Sequence, residues 1–138
     1  MAVAKWAAFQ TESANLAGTA LDNRANSNLP AFVVDIDNTG DRDLYASFWI
    51  EFGTIGPTAP GFVTLSLRRK RGSVYAENPC EQVISAVTGT GARVFALEFL
   101  MRLPGPGVYG LYFTNNLGIS TAASGNALYR SDFNEDVT

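Results

Sequence analysis

The run Leu44-Tyr45-Ala46-Ser47-Phe48-Trp49-Ile50-Glu51-Phe52 changes character at every residue. Leu44, Ala46, Phe48, Ile50 and Phe52 fall on one side of an extended chain, and Tyr45, Ser47, Trp49 and Glu51 on the other. A strand sends successive side chains to opposite faces, whereas a helix returns to one face only about every 3.6 residues. The run therefore predicts a strand whose first set of residues lines a core. Trp49 falls on the outer face, where so large an aromatic calls for a cover, either a loop or a neighbouring subunit.

Six further runs alternate in the same way: 4–11, 31–37, 62–69, 93–101, 108–114 and 127–133. Weaker candidates cover 15–21 and 82–87. Val63, Leu65 and Leu67 oppose Thr64, Ser66 and Arg68, while Phe95, Leu97, Phe99 and Met101 share a face and leave Glu98 facing solvent. Turn chemistry separates the runs. Asn38-Thr39-Gly40-Asp41 reads as a tight hairpin between the strands on either side. Residues 53–61, with Pro57 and Pro60 among them, read as a loop because proline cannot serve a central strand. Pro104-Gly105-Pro106-Gly107 makes a rigid corner. Residues 12–25 are the one helix candidate, weakened by Gly18 and Thr19 in the middle. Seven to nine strands at spacings of about ten residues predict a single all-β domain, an antiparallel β-sandwich that is jelly-roll-like or Ig-like, with residues 1–12 as an arm or exchanged strand.

The bulk composition agrees. At 138 residues the chain suits one domain, and 46% hydrophobic with 17% charged residues is ordinary globular composition. A net charge of −3 disfavours nucleic acid as the main partner. Cys80 is the single cysteine, so no intrachain disulfide forms; between Glu77 and Glu81 its thiol reads as inert and partly buried. The start lacks the apolar core of a signal peptide, and no apolar run reaches the ~18 residues that span a bilayer. The expectation is folding in a reducing cytoplasm, with no membrane partner.

Reactive chemistry finds little purchase. The chain has no histidine, which removes His-based nucleophile activation, His-based zinc motifs and the usual base near neutral pH. No phosphate-cradling glycine motif precedes a helix; Thr88-Gly89-Thr90-Gly91 leads into a strand and reads as a turn. Asp35, Asp37, Asp41 and Asp43 around Gly40 resemble a calcium loop, since hard cations want several oxygens converging from a tight turn. Ala46 stands where the closing carboxylate belongs, the flanks read as strands, and Arg42 brings its own charge. The structural reading is preferred, and no metal, cofactor or catalytic residue is assigned. The basic run Arg68-Arg69-Lys70-Arg71 holds four of the ten positive charges and reads as a hairpin end or a protein contact, with the acidic tail of Asp132, Glu135 and Asp136 as a complement on another copy.

The ordered segments resemble a known group. Leu103-Pro104-Gly105-Pro106-Gly107, a strand ending Asn115-Asn116, the turn at Gly118, and Ala123-Ser124-Gly125-Asn126 before a last strand are similar to small structural proteins of tailed bacteriophages and prophages. Leu29-Pro30-Ala31-Phe32-Val33-Val34 and Val63 to Arg69 followed by Gly72-Ser73-Val74-Tyr75 extend the likeness over most of the chain. The resemblance implies a non-enzymatic β-sandwich building block of the virion, assembled in the host bacterial cytoplasm. It implies a head decoration or cement protein that binds the major capsid protein or other virion proteins as a homo-oligomer, a trimer being favoured. A tail or baseplate subunit is the alternative within the same group. A carbohydrate-binding sandwich that stacks sugars on Trp6, Trp49 or Tyr75 is the alternative outside it. The candidate interface is Lys5, Trp6 and Phe9 of the arm, Trp49, and Arg68, Arg69, Lys70 and Arg71.

Overall fold

The computed structural model describes residues 4–6, 12–40 and 43–137. Ten strands follow one another: β1 Ala4–Trp6, β2 Ala31–Asp37, β3 Tyr45–Ile55, β4 Gly61–Arg71, β5 Val74–Tyr75, β6 Glu81–Val87, β7 Arg93–Arg102, β8 Val108–Asn116, β9 Ala127–Phe133 and β10 Glu135–Val137. β1 and β10 form a small antiparallel ribbon. The other eight make two antiparallel sheets. One has the order β2-β8-β4, with β6 and β5 following each other along the free side of β4; the other is β7-β3-β9. The chain is an all-β sandwich, and apart from the β4–β5–β6 stretch and the final β9–β10 step each connection within the sandwich crosses from one sheet to the other, a jelly-roll-like habit.

The alternation sets the core. Ala46, Phe48, Ile50 and Phe52 of β3 face Val63, Leu65 and Leu67 of β4 and Tyr109, Leu111 and Phe113 of β8, all of them buried. Full burial of one such large side chain contributes about 1.5–3 kcal/mol. Phe52 lies between Phe95 and Phe113, at centroid distances of 5.1 and 6.1 Å.

Four expectations need correction. Asn38-Thr39-Gly40-Asp41 does not close a hairpin, because β2 and β3 lie in different sheets. Buried Asn38 instead organises a crossing: its Nδ2 donates to the Asp43 carbonyl at 2.8 Å, its Oδ1 accepts from the Asp43 N–H at 2.9 Å, and its own N–H reaches the Gly107 carbonyl at 2.8 Å. The same knot pulls Leu44 out of the strand and leaves it half exposed, its N–H bonded to Asn134 Oδ1 at 2.6 Å and its carbonyl accepting from Leu103. Residues 53–55 belong to β3, which passes through a register shift between Phe52 and Ile55 before the loop begins. Residues 12–25 form no helix. Ser13 and Leu16 donate to the carbonyls of Arg130 and Leu128 along β9, and turns through Gly18 (φ 53°) and Asn23 (φ 52°) then drive Ala17 and Leu21 into the core.

Asn115 and Asn126 of the quoted C-terminal motifs, and Thr121 between them, are clamps. Thr121 Oγ1 donates to the Leu21 carbonyl at 2.6 Å and accepts from the Arg24 N–H at 2.7 Å. Asn126 Nδ2 donates to Asp22 Oδ1 at 2.8 Å and to the Ala122 carbonyl at 2.9 Å, while its Oδ1 accepts from the Gly53 N–H at 3.1 Å. Asn115 Nδ2 holds the carbonyls of Arg24 and Ile119 at 2.9 and 2.7 Å. These asparagines satisfy backbone groups that loops leave orphaned, which is why they sit buried.

Candidate functional site

The outer face of the β7-β3-β9 sheet is built by the set of β3 residues that the core rejects. Trp49 stands opposite Glu98 on β7 and Tyr129 on β9; Ser47 stands opposite Leu100 and Ser131; Tyr45 stands opposite Arg102 and Phe133. The Tyr45 and Phe133 rings stack at 5.2 Å. Trp49 Nε1 donates to Glu51 Oε1 at 3.2 Å, and Ser47 Oγ donates to Glu98 Oε1 at 3.3 Å. Trp49 keeps 40% of its surface exposed, Leu100 58% and Val94 66%. Glu12, Trp49, Glu51 and Tyr129 together line a shallow depression. Glu98 faces solvent, as its phase predicts. The exposure of Val94 and Leu100 was open to the same alternation, which puts both on the outer side of the 93–101 run.

The basic run sits on the other sheet, and three of its four charges are engaged within the chain. Arg68 and Lys70 emerge on the outer face of β4. The Arg68 guanidinium lies 4.6 Å over the Tyr112 ring, and Lys70 Nζ meets Asp35 Oδ2 at 2.7 Å. Arg69 points the other way, over Tyr109 at 5.5 Å, with Nη2 on the Pro106 carbonyl at 3.2 Å. Arg71 is exposed at the β4–β5 turn. Tyr75 reaches back from β5 and fills the space above Gly110, where a Cβ would come within 2.7 Å of its ring. Its hydroxyl donates to Asp35 Oδ1 at 2.7 Å, and its ring meets Phe32 and Tyr112 at 5.4 and 6.0 Å. The sequence shows four like charges in a row; it does not show that β2 and β8 bring Asp35 and Tyr112 to them.

Burial raises the Asp35 pKa, but hydrogen bonds from Lys70 and Tyr75 outweigh it and hold the carboxyl below its ordinary 3.8. The bonds they donate to Asp35 lift Lys70 above its ordinary 10.5 and Tyr75 above its ordinary 10.0. A carboxylate whose folded pKa is depressed adds stability above its unfolded pKa and loses it as the pH falls through the folded value. The lysine and the phenol, raised on folding, add stability below their unfolded values and lose it as the pH rises through the folded ones. The trio is therefore intact between about pH 4 and pH 10. In urea unfolding, the stability gap between the wild type and Asp35→Asn is expected in full at pH 7 and to close below about pH 4. A gap of constant size down to acid would show that Asp35 acts by packing and not by charge.

The remaining sequence candidates part company. Asp37 turns to Thr39, accepting its N–H at 2.9 Å and its hydroxyl at 2.6 Å, while Asp43 is buried and accepts from Asn134 Nδ2 at 2.6 Å. With Asp35 on Lys70, these three carboxylates point to different partners; Asp41 and Arg42 lie outside the described residues. Among the described residues no three side chains of Cys, Asp or Glu gather to hold a metal ion. Asp132 is not a free tail charge: Arg130 grips it with two bonds of 2.7 and 2.5 Å. Lys5 and Trp6 lie on β1, paired with Asp136 and Glu135 of β10, and Phe9 lies outside the described residues. Cys80 is exposed as a residue, while its thiol is partly buried: Sγ donates to the Leu67 carbonyl at 3.3 Å, and desolvation pushes the thiol pKa up.

No protein-family model matches this chain, and no curated protein does. Solved structures similar to it include the arabinose-bound α-L-arabinofuranosidase MgGH51, at 12% identity and a TM-score of 0.37. That likeness covers 86% of this chain and 18% of the arabinofuranosidase, and at such a score it carries no argument about function.

Proposed function

We propose that this protein is a structural subunit of a bacteriophage particle, a decoration or cement protein that docks on the major capsid protein lattice. The observation that carries the reading is the outer face of β7, β3 and β9, where Trp49 stands 40% exposed on the central strand of the sheet. Aromatic anchors of this kind carry much of the binding energy of a protein interface. The clamps at Asn115 and Asn126 support the same reading, because motifs that carry the phage-like resemblance serve to fix loops. A tail or baseplate subunit needs the same face and differs only in the lattice it meets.

Trp49→Glu removes the central anchor and leaves the core untouched. The variant is expected to keep its thermal transition and to lose at least tenfold in affinity for particles lacking this chain, measured by co-sedimentation. Unchanged binding would overturn the proposed face, and no binding by the wild type would overturn the function. A second reading has its own observation: Trp49 and Tyr129 beside the carboxylates of Glu12 and Glu51 could seat a sugar ring. Glycan-array binding that Trp49→Ala abolishes, in a protein without affinity for particles, would favour it.

A further inference from the structure

We infer that two copies of this chain join edge to edge along β7, each continuing the other's β7-β3-β9 sheet. A sheet edge presents unpaired N–H and C=O groups, and proteins that stay monomeric cover, bend or charge it. Three edges here are managed. Ser13 and Leu16 donate along β9, and Ser13 Oγ and Asn15 Oδ1 receive the N–H groups of Arg130 and Leu128. The β2–β8 pairing is interrupted by a register shift between Phe32 and Val34. β6 has seven residues against ten in β7, and opens on Glu81 and Gln82.

β7 is the least protected: β6 approaches it without a main-chain bond, its charges are Arg93, Glu98 and Arg102, and its pairing with β3 shifts only at the Arg93 end. It contains no Pro, Gly or Lys, and its register with β3 is regular from Arg102 to Phe95. Among the described residues no main-chain bond joins its second edge to another segment. Its sequence is also self-complementary under a two-fold axis. With Leu97 opposite Leu97, Val94 of one copy meets Leu100 of the second, Phe95 meets Phe99, and Ala96 meets Glu98. Directly opposed side chains share a face, so the pairing covers Val94 and Leu100, exposed by 66% and 58%, on the outside. On the inside it covers Phe95 and Leu97, which point at the core yet remain only half-buried. A register centred on Leu100 would instead set Glu98 against Arg102. It pairs only residues 98–102 before Pro104, which has no N–H to donate, and exposed ion pairs add little. The apolar register prevails. It gives an isologous dimer, in place of the trimer expected from the sequence, and it requires no particle.

The test uses the isolated protein. Sedimentation equilibrium is expected to show a dimer, and Leu100→Asp to weaken it by at least tenfold with an unchanged circular dichroism spectrum. In a Cys80→Ser background, Val94→Cys with Leu100→Cys is expected to cross-link two chains on oxidation, while Leu100→Cys alone does not. Six residues of extended strand separate the two positions within one chain, far beyond disulfide reach. A monomer at every concentration, a dimer indifferent to Leu100→Asp, or cross-linking by Leu100→Cys alone would each overturn the inference. Because no particle enters the experiment, its failure leaves the docking face at Trp49 untouched, and the reverse holds equally.

Discussion

Replacing Gly53 by alanine is expected to lower the unfolding free energy by about 3 kcal/mol, a large share of the 5–15 kcal/mol typical of a domain. Gly53 lies beyond the regular part of β3, where the chain passes directly beneath the Ala122–Gly125 loop. A Cβ there would fall onto the Ser124 carbonyl oxygen and within 2.9 Å of the Ala122 Cβ. The obstacle is main chain and not a mobile side-chain tip, so it relaxes only if the loop shifts. Any such shift stretches the bond from the Gly53 N–H to Asn126 Oδ1. For a chain of this length the thermal midpoint should fall by about 10 °C, read by circular dichroism. A fall of less than a degree or two would show that the 122–125 loop does not press on β3.

Asn126→Ala attacks the same clamp from the other side, with an expected cost of about 2–4 kcal/mol. The amide is buried, and its removal strands the Gly53 N–H, takes one donor from Asp22 and leaves the Ala122 carbonyl only its bond from the Asn23 N–H. Asn126→Asp is expected to be no better, since a carboxylate keeps the acceptor for Gly53 but cannot donate to Asp22 or to Ala122 and places a charge beside the Asp22 carboxylate. Gly53 and Asn126 share one hydrogen bond, so the two losses should not add. The double variant is expected to lose about 1 kcal/mol less than the sum of the single ones, the worth of that bond. Strict additivity would mean that the clamp is not a single unit.

The strand faces were readable in the sequence because a period of two is a local property. The phases of residues 44–52, 62–69 and 93–101 place Phe48, Leu65 and Phe99 inside and Trp49, Arg68 and Glu98 outside, as found. Pairing is not local. Asn38-Thr39-Gly40-Asp41 has the chemistry of a tight turn, and nothing nearby tells whether the next strand joins the same sheet or crosses to the other. The answer rests on Gly107 and Asp43, which Asn38 ties together. Residues 12–25 carry no strong pattern of their own, so the free edge of β9 decides their course. The basic run shows the same limit, since its partners Asp35, Tyr109 and Tyr112 come from β2 and β8. Among the described side chains of the candidate interface, Trp49 is the one on an exposed apolar face, while Arg68, Arg69 and Lys70 already have partners within the chain.

Cryo-electron microscopy of particles purified from cells that carry this gene bears most directly on the role proposed for the sandwich. The expected map shows this chain on the particle surface with β7, β3 and β9 turned toward the lattice and Trp49 buried against it. Particles that lack the chain, or that hold it with Trp49 open to solvent, would contradict that role.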